Sequence, residues 1–362
     1  MRKNALAEAI GKTPTAVAAY ESGAKRPAPA TVATLALALG VGPEFFLAGP
    51  SDYASLAGLP HFRSLRSTTQ VARDQAYAYG RLAVAVAAAL ERHVELPAVD
   101  LPQVPVALED NADGPEWAAG EVRRKWGLVT GPVGHLVRIA EHHGVLVVFG
   151  PQQTTDVDAH SFDNAHRPVV ILNPLKQDYY RQRFDVAHEF GHLVMHVDAE
   201  PGGKVVEEQA HRFAAELLMP RDELVEVLPR RADWRELATL KERWGVSMQA
   251  LLFRARRLGI MSDSTYRNAM TTLSARGWRR REPGPLPVLE QPSLLPRAVQ
   301  ILADHGVDAP ALAAEARVPV PLFELITART PPDLGGVPSV GASEGGGRPR
   351  LSLLQTPARG RS

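Results

Sequence analysis

Cysteine is absent from the 362 residues of this chain. Disulfides and thiolate metal sites are therefore excluded, and any zinc would have to be held by histidine and carboxylate side chains. A long hydrophobic run is missing too. The longest purely apolar stretch, Leu82 to Leu90, lies between Arg81 and Glu91 and is far too short to span a bilayer. The first residues, Met1-Arg-Lys-Asn-Ala-Leu-Ala-Glu, carry no apolar signal core. Nor is there an excess of one charge, since 41 basic and 40 acidic residues leave a formal net charge of +1. Any nucleic-acid contact must then come from local patches. These absences point to a cytoplasmic protein with no membrane contact. What is present, 45% hydrophobic and 22% charged residues, suffices for an ordinary core and for two or three domains.

Residues 1–48 read as short helices joined by tight turns. Thr13-Pro14 is a cap followed by proline at the first helical position, and Gly23 stops the segment ending Tyr20-Glu21-Ser22. A further helix is expected from about Pro29 to Leu39, followed by a Pro43–Leu47 turn. The pattern Leu6-Ala-Glu-Ala-Ile-Gly11, Thr13-Pro-Thr-Ala-Val17, Tyr20-Glu-Ser-Gly23, Pro27 and Leu37–Val41 resembles the Cro/C1-type (XRE family) helix-turn-helix. That resemblance implies DNA binding, with the family's first helix missing before this segment. The outward positions of the implied recognition helix hold Pro14, Thr15, Ala16, Ala18 and Ala19, so only Thr15 can hydrogen-bond a base edge. Lys12, Lys25 and Arg26 could hold phosphates, which position without specifying, and Thr13 completes the expected DNA-contacting set. A helical module that packs on protein or dimerises is the other reading of the same residues.

From 49 to 114 a helical junction and linker is expected: a helix within Ser67 to Glu95, then the extended Pro/Val/Leu run from Leu96 to Val106. A catalytic domain is expected over 115–225. Helices are read at Trp117–Trp126 and Gly131–His143, and strands at Val145–Phe149, Asp158–Phe162 and Arg167–Asn173. A long helix follows from Gln177 to His196, with Phe184, Ala187, Gly191 and Met195 on its buried face. The fold class is therefore mainly α with a small β-sheet, α+β.

That long helix carries His188-Glu189-Phe190-Gly191-His192. Two imidazoles at i and i+4 share one helical face and can converge on one metal, with Glu189 beside the open coordination position. Zinc acidifies a water, and a neighbouring carboxylate can take the proton and pass it to a leaving amine. A third protein ligand is required. His196 fails on distance, because eight helical residues rise about 12 Å, and a structural or solvent-facing role is expected for it. The next helix, Val205 to Pro220, offers Glu207, Glu208 and His211. Asn173, Arg183-Phe184, the motif itself, Glu207-x-x-Ala210-x-x-Phe213-Ala214 and Leu217-Leu-Met-Pro220 together resemble the ImmA/IrrE family of metallopeptidases, which have a gluzincin-like site. The resemblance implies one Zn2+ held by His188, His192 and Glu207, with Glu189 activating water. It places Glu208 about 100° around the helix, towards solvent. His211 stands where the family usually has Asn or Asp; it could orient His188 or His192, or compete as a ligand. His160, Tyr179 and Tyr180 are candidates for steadying a tetrahedral oxyanion.

Beyond the domain, 226–283 reads as a helical unit with a helix-turn-helix shape at Leu237–Leu258. Its Arg254, Arg256 and Arg257, with Arg276 and Arg279 to Arg281, form either a phosphate-binding patch or a solvated face. Leu294 to Leu325 suggests two amphipathic helices in a small interaction module at 284–329, and 330–362 a disordered tail. The resemblances together imply a DNA-binding regulator whose zinc endopeptidase cuts a regulator protein, a repressor, in derepression or stress; a homodimer is compatible with it. The rival readings are a transcription factor whose peptidase-like domain only senses a metal or ligand, and a peptidase whose N-terminal helices bind protein.

Overall fold

A computed structural model of the chain describes residues 1–46, 70–108, 113–151, 159–163, 166–196, 203–330 and 351–353. The N-terminal unit consists of α1 (Lys3–Ala9), α2 (Pro14–Glu21) and α3 (Pro29–Leu39), closed by a 3-10 turn at Pro43–Phe46. The Thr13 hydroxyl accepts the Ala16 N–H at 3.2 Å and so starts α2, with Pro14 at the first helical position. Ala7, Ile10, Val17 and Leu35 form its small core.

The larger unit is built on a three-stranded sheet. After α4 (Gln70–Leu90) and β1 (Val94–Glu95) come α5 (Gly114–Lys125), α6 (Leu136–His142), β2 (Leu146–Phe149), β3 (His160–Phe162) and β4 (Val169–Leu172). The strand order is β2-β4-β3, with β2 parallel and β3 antiparallel to the central β4. Successive side chains of a strand point to opposite faces. Val147, Phe149, Val170 and Leu172 enter one core, here called the front, while Leu146, Val148, Val169, Ile171 and Phe162 enter another, the back.

Two long helices cover the front: α7 (Tyr179–Met195), capped by the Asp178 carboxylate, and α8 (Lys204–Leu218). Behind them lie α9 (Arg221–Leu224), α10 (Trp234–Trp244), α11 (Met248–Arg257) and α12 (Asp263–Ala275), of which α10, α11 and α12 are capped by Asp233, Ser247 and Ser262. The back is covered by α4 together with α13 (Leu294–Asp304), α14 (Ala309–Ala316) and α15 (Val320–Ile326). Gly80 of α4 lies so close to the sheet that a Cβ there would fall 1.9 Å from the Phe162 ring.

The sequence expectations hold for the main elements and fail in four places. The helix expected from Gly131 starts only at Leu136. The backbone before it is drawn out of helical geometry: Gly131 has φ +77°, its N–H is held by the Glu223 carboxylate, and the Val133 and Gly134 carbonyls accept from Arg183. The extended run after Leu96 is no loose linker, since Leu96, Leu101 and Val104 are buried and the Val104 N–H donates to the Val194 carbonyl at 2.9 Å. The expected two-helix module is three helices, and they complete the core of the sheet's back face. Of the expected disordered tail, Ser352–Leu353 forms a strand, β5, paired antiparallel with β1. Residues 331–350 and 354–362, and the first part of the expected junction up to residue 69, lie outside the described residues. Among the described residues no helix is long and apolar enough to cross a membrane.

Candidate metal centre

The middle of α7 is buried on every side, from Val186 to Met195. That requires another helix to approach very closely, and Gly191 permits it. A Cβ at this position would stand 3.1 Å from the Ala210 Cα and equally close to the Phe213 side chain. With α8 drawn in against Gly191, its first turn brings Glu207 over the two histidines. The Nε2 atoms of His188 and His192 are 3.1 Å apart. The Glu207 carboxylate presents one oxygen 3.3 Å from the His188 Nε2 and the other 3.6 Å from the His192 Nε2.

These three residues fit a metal ion. Two ligands of a tetrahedral ion, each at about 2.05 Å, lie about 3.3 Å from one another, and the observed separations bracket that value. Two imidazole nitrogens facing at 3.1 Å can share only one proton, whereas a divalent cation satisfies both lone pairs and the carboxylate charge. Two histidines and a glutamate also form a donor set that leaves one position open in a four-coordinate site. Among the described residues, this is the group of His, Asp and Glu side chains whose ligand atoms converge.

Glu189 is 1% exposed and is held from the sheet: the Ser161 hydroxyl donates to its Oε2 at 2.6 Å. Sequence reading selected His160 and missed Ser161. The register explains why. Ser161 pairs with Val170, a front-face residue, while His160 pairs with Ile171 on the back. A strand's neighbouring side chains point oppositely, so His160 faces away from the metal group. Its burial pushes its pKa down to about 4, leaving the ring neutral at pH 7. Tyr179 and Tyr180 also lie elsewhere, about 12–14 Å along α7 from His188. Tyr179 stacks on the Arg183 guanidinium and Tyr180 on the Lys241 ammonium, so both serve packing rather than an oxyanion.

His196 is not a ligand, as the helical rise required, but it is buried rather than solvent-facing. Its Nδ1 lies 3.1 Å from the His192 Nδ1 and its Nε2 lies 2.9 Å from the Gln209 Oε1. Burial holds its pKa below the usual imidazole value, although Gln209 and Glu207 pull the other way. Gln209 in turn donates from Nε2 to the Ala107 carbonyl at 2.9 Å. Sequence reading passed over Gln209 as well; its place one turn before Phe213 on the α8 face that meets α7 was the available signal. Glu208 is exposed and pairs with Arg257 at 3.2 Å. His211 sits beside the group, its ring edge-on to His188 with centroids 4.7 Å apart and its Nδ1 3.1 Å from the Glu207 backbone carbonyl.

The N-terminal candidates Lys12, Thr13, Thr15, Lys25 and Arg26 are all exposed, and Thr13 also serves as the α2 cap. The arginines of α11 are engaged internally. Arg254 is buried, donates to the Met219 carbonyl and pairs with Glu216, while Arg256 pairs with Asp263. Arg276 lies over the Trp234 and Trp278 rings. Arg276 and Arg279 to Arg281 are exposed and pair with no carboxylate among the described residues, whereas the α11 arginines are paired, so a phosphate-binding role for the whole stretch does not follow.

Comparison with known families agrees with this architecture. Residues 140–256 match the IrrE N-terminal-like domain, a peptidase family, and residues 1–46 match a helix-turn-helix family. The first match extends past the end expected for the catalytic domain and takes in α10 and most of α11. No curated protein matches the chain.

Proposed function

We propose that this chain, an IrrE N-terminal-like domain over residues 140–256 joined to a helix-turn-helix over 1–46, is a DNA-binding regulator carrying a zinc-dependent endopeptidase. The observation that carries the reading is the convergence of His188, His192 and Glu207 next to a glutamate fixed from the sheet. A two-histidine, one-carboxylate set suits Zn2+, which when bound polarises a peptide carbonyl and acidifies water. Glu189 is the general base: the Ser161 hydroxyl fixes its carboxylate through Oε2, and the carboxylate accepts a proton from water. The same carboxyl group then delivers that proton to the amine nitrogen as the C–N bond breaks. Helix-borne His188 and His192 and the α8-borne Glu207 need little rearrangement, because Gly191 already sets the two helices in contact.

The substrate in this reading is a protein, a repressor in the same cytoplasm, and cutting it relieves repression. Lys12, Thr13, Thr15, Lys25 and Arg26 would contact DNA, chiefly through phosphates, so recognition should be salt-dependent and weakly sequence-selective. A homodimer would suit a two-fold operator. The near-complete burial of His188, Glu189 and His192 favours a second reading, in which the same group senses a metal without catalysis. Glu189→Gln separates the two. Cleavage of the cognate repressor should fall by about 100-fold or more while zinc content stays at one ion per chain. Full cleavage by the variant, or none by the wild type loaded with zinc, would exclude the peptidase reading.

A further inference from the structure

With both imidazoles neutral, the donors and acceptors around His192 match in one arrangement of protons. The Ala107 carbonyl can only accept, so the Gln209 amide must turn its NH2 towards it, which leaves the Gln209 carbonyl oxygen facing His196. That oxygen can only accept, so the proton of the neutral His196 ring sits on Nε2. The His196 Nδ1 is then an acceptor, and the facing His192 Nδ1 at 3.1 Å must be the donor. His192 is left with an unprotonated Nε2, the atom that faces the His188 Nε2 and the Glu207 carboxylate.

We infer that His196 and Gln209 are positioning residues that set the tautomer and ring orientation of His192 so that its Nε2 lone pair is permanently turned to the metal. The inference rests on the reading of His188, His192 and Glu207 as a metal site. It assigns a role to three parts of the chain at once. His196 ends α7 one turn beyond His192, Gln209 comes from α8, and Ala107 belongs to the extended segment that is tied to α7 through the Val104 N–H. Any flip in this chain puts two donors or two acceptors face to face in a buried setting, which is costly. Partners that hold a metal-binding histidine through its other nitrogen typically raise metal affinity 10- to 100-fold.

Full-length wild type, His196→Leu, His196→Asn and Gln209→Leu are compared in two measurements. Zinc affinity is read by competition with a chromogenic chelator. The protonated nitrogen of His192 is read in the metal-free chain by long-range nitrogen–proton NMR of histidine-labelled protein. Both leucine variants should bind zinc about 10- to 100-fold more weakly and lose the uniform Nδ1–H form of His192. His196→Asn, whose side-chain oxygen can stand in for Nδ1 as the acceptor, should stay within a few fold of wild type. Wild-type affinity and tautomer in Gln209→Leu would overturn the relay. So would an equal loss in His196→Asn and His196→Leu, because a purely packing role predicts it. If the wild type binds no zinc, the proposed function fails, yet the metal-free tautomer measurement still decides the relay. A leucine variant that does not fold leaves the other position and the asparagine variant to decide it.

Discussion

The two faces of the three-stranded sheet use the same kinds of residue to opposite ends. On the back, Leu146, Val148, Phe162, Val169 and Ile171 meet α4 and α13 to α15 in a core of aliphatic and aromatic side chains. On the front, Val147, Phe149, Val170 and Leu172 support α7, and within that layer sit buried His188, Glu189 and His192, with partly buried Glu207 beside them. Both faces depend on a glycine for close approach, Gly80 at the back and Gly191 at the front. A polar cluster can exist at the front because its members satisfy one another through Ser161, His196 and Gln209. The back is a largely apolar core, and the front gives part of its buried volume to a polar cluster.

That contrast can be broken by substitution. Gly80→Ala should have the largest effect on stability. The added methyl meets the Phe162 ring at 1.9 Å, and overpacking of about 3 kcal/mol outweighs the roughly 1 kcal/mol that alanine gains in a helix. A net loss of about 2 kcal/mol is expected in urea unfolding, with zinc affinity retained; loss of zinc binding without loss of stability would mean that the two faces are not separable in this way.

Ser161→Ala probes the front. Removing a hydrogen bond to a buried charged group costs about 1.5 kcal/mol of stability, and kcat should fall about tenfold or more with KM little changed. An unchanged kcat would show that Ser161 does not position Glu189. Gly191→Ala is expected to be milder than Gly80→Ala, because its new contacts are at 3.1 Å rather than 1.9 Å. Overpacking of about 2 kcal/mol against a helix-propensity gain of about 1 kcal/mol leaves about 1 kcal/mol of destabilisation. Unlike Gly80→Ala it should weaken zinc binding, by shifting Glu207 with α8; a titration showing wild-type affinity would contradict that coupling.

The smallest effect lies at the seam between the faces. Glu141 of α6 accepts from the N–H groups of Ser293 and Leu294 and from the Ser293 hydroxyl, at the start of α13. Burial pushes its pKa up to about 7 in spite of those donors. A raised carboxyl pKa means that the folded state binds the proton more tightly. The stabilisation it contributes is complete below about pH 4.5 and is lost as pH rises through about 7. Most of the change falls below neutrality, so only a few tenths of a kcal/mol should disappear between pH 7 and 8. Denaturation of wild type and Glu141→Gln at pH 5, 7 and 8 checks the sign: the wild type should lose stability relative to the variant as pH rises, and a relative gain would refute it.

Much of the candidate site is legible in the sequence. The spacing of His188 and His192, the exclusion of His196 as a ligand and the role of Gly191 follow from helical geometry, while Glu207 came from the resemblance. Ser161 was not legible, because nothing local says which of His160 and Ser161 faces α7; the pairing with Val170 and Ile171 decides that. The arginines of α11 show a related limit. Their density suggests either a phosphate site or a solvated face, and their partners Glu216, Asp263 and Glu208 lie distant in sequence or on other helices.

By itself the sequence determined what short-range physics controls: the caps at Thr13, Asp178 and Ser247, the helical face that joins His188 to His192, and the absence of thiol ligands. Tertiary structure alone decided which sheet face Ser161 joins, that α13 to α15 complete a core rather than stand apart, and that Ala107, Gln209 and His196 line up behind His192. The physical reason is the same in each case. Local geometry repeats within a turn or a strand, whereas register and long-range contact are chosen only when separate elements bury their apolar faces together.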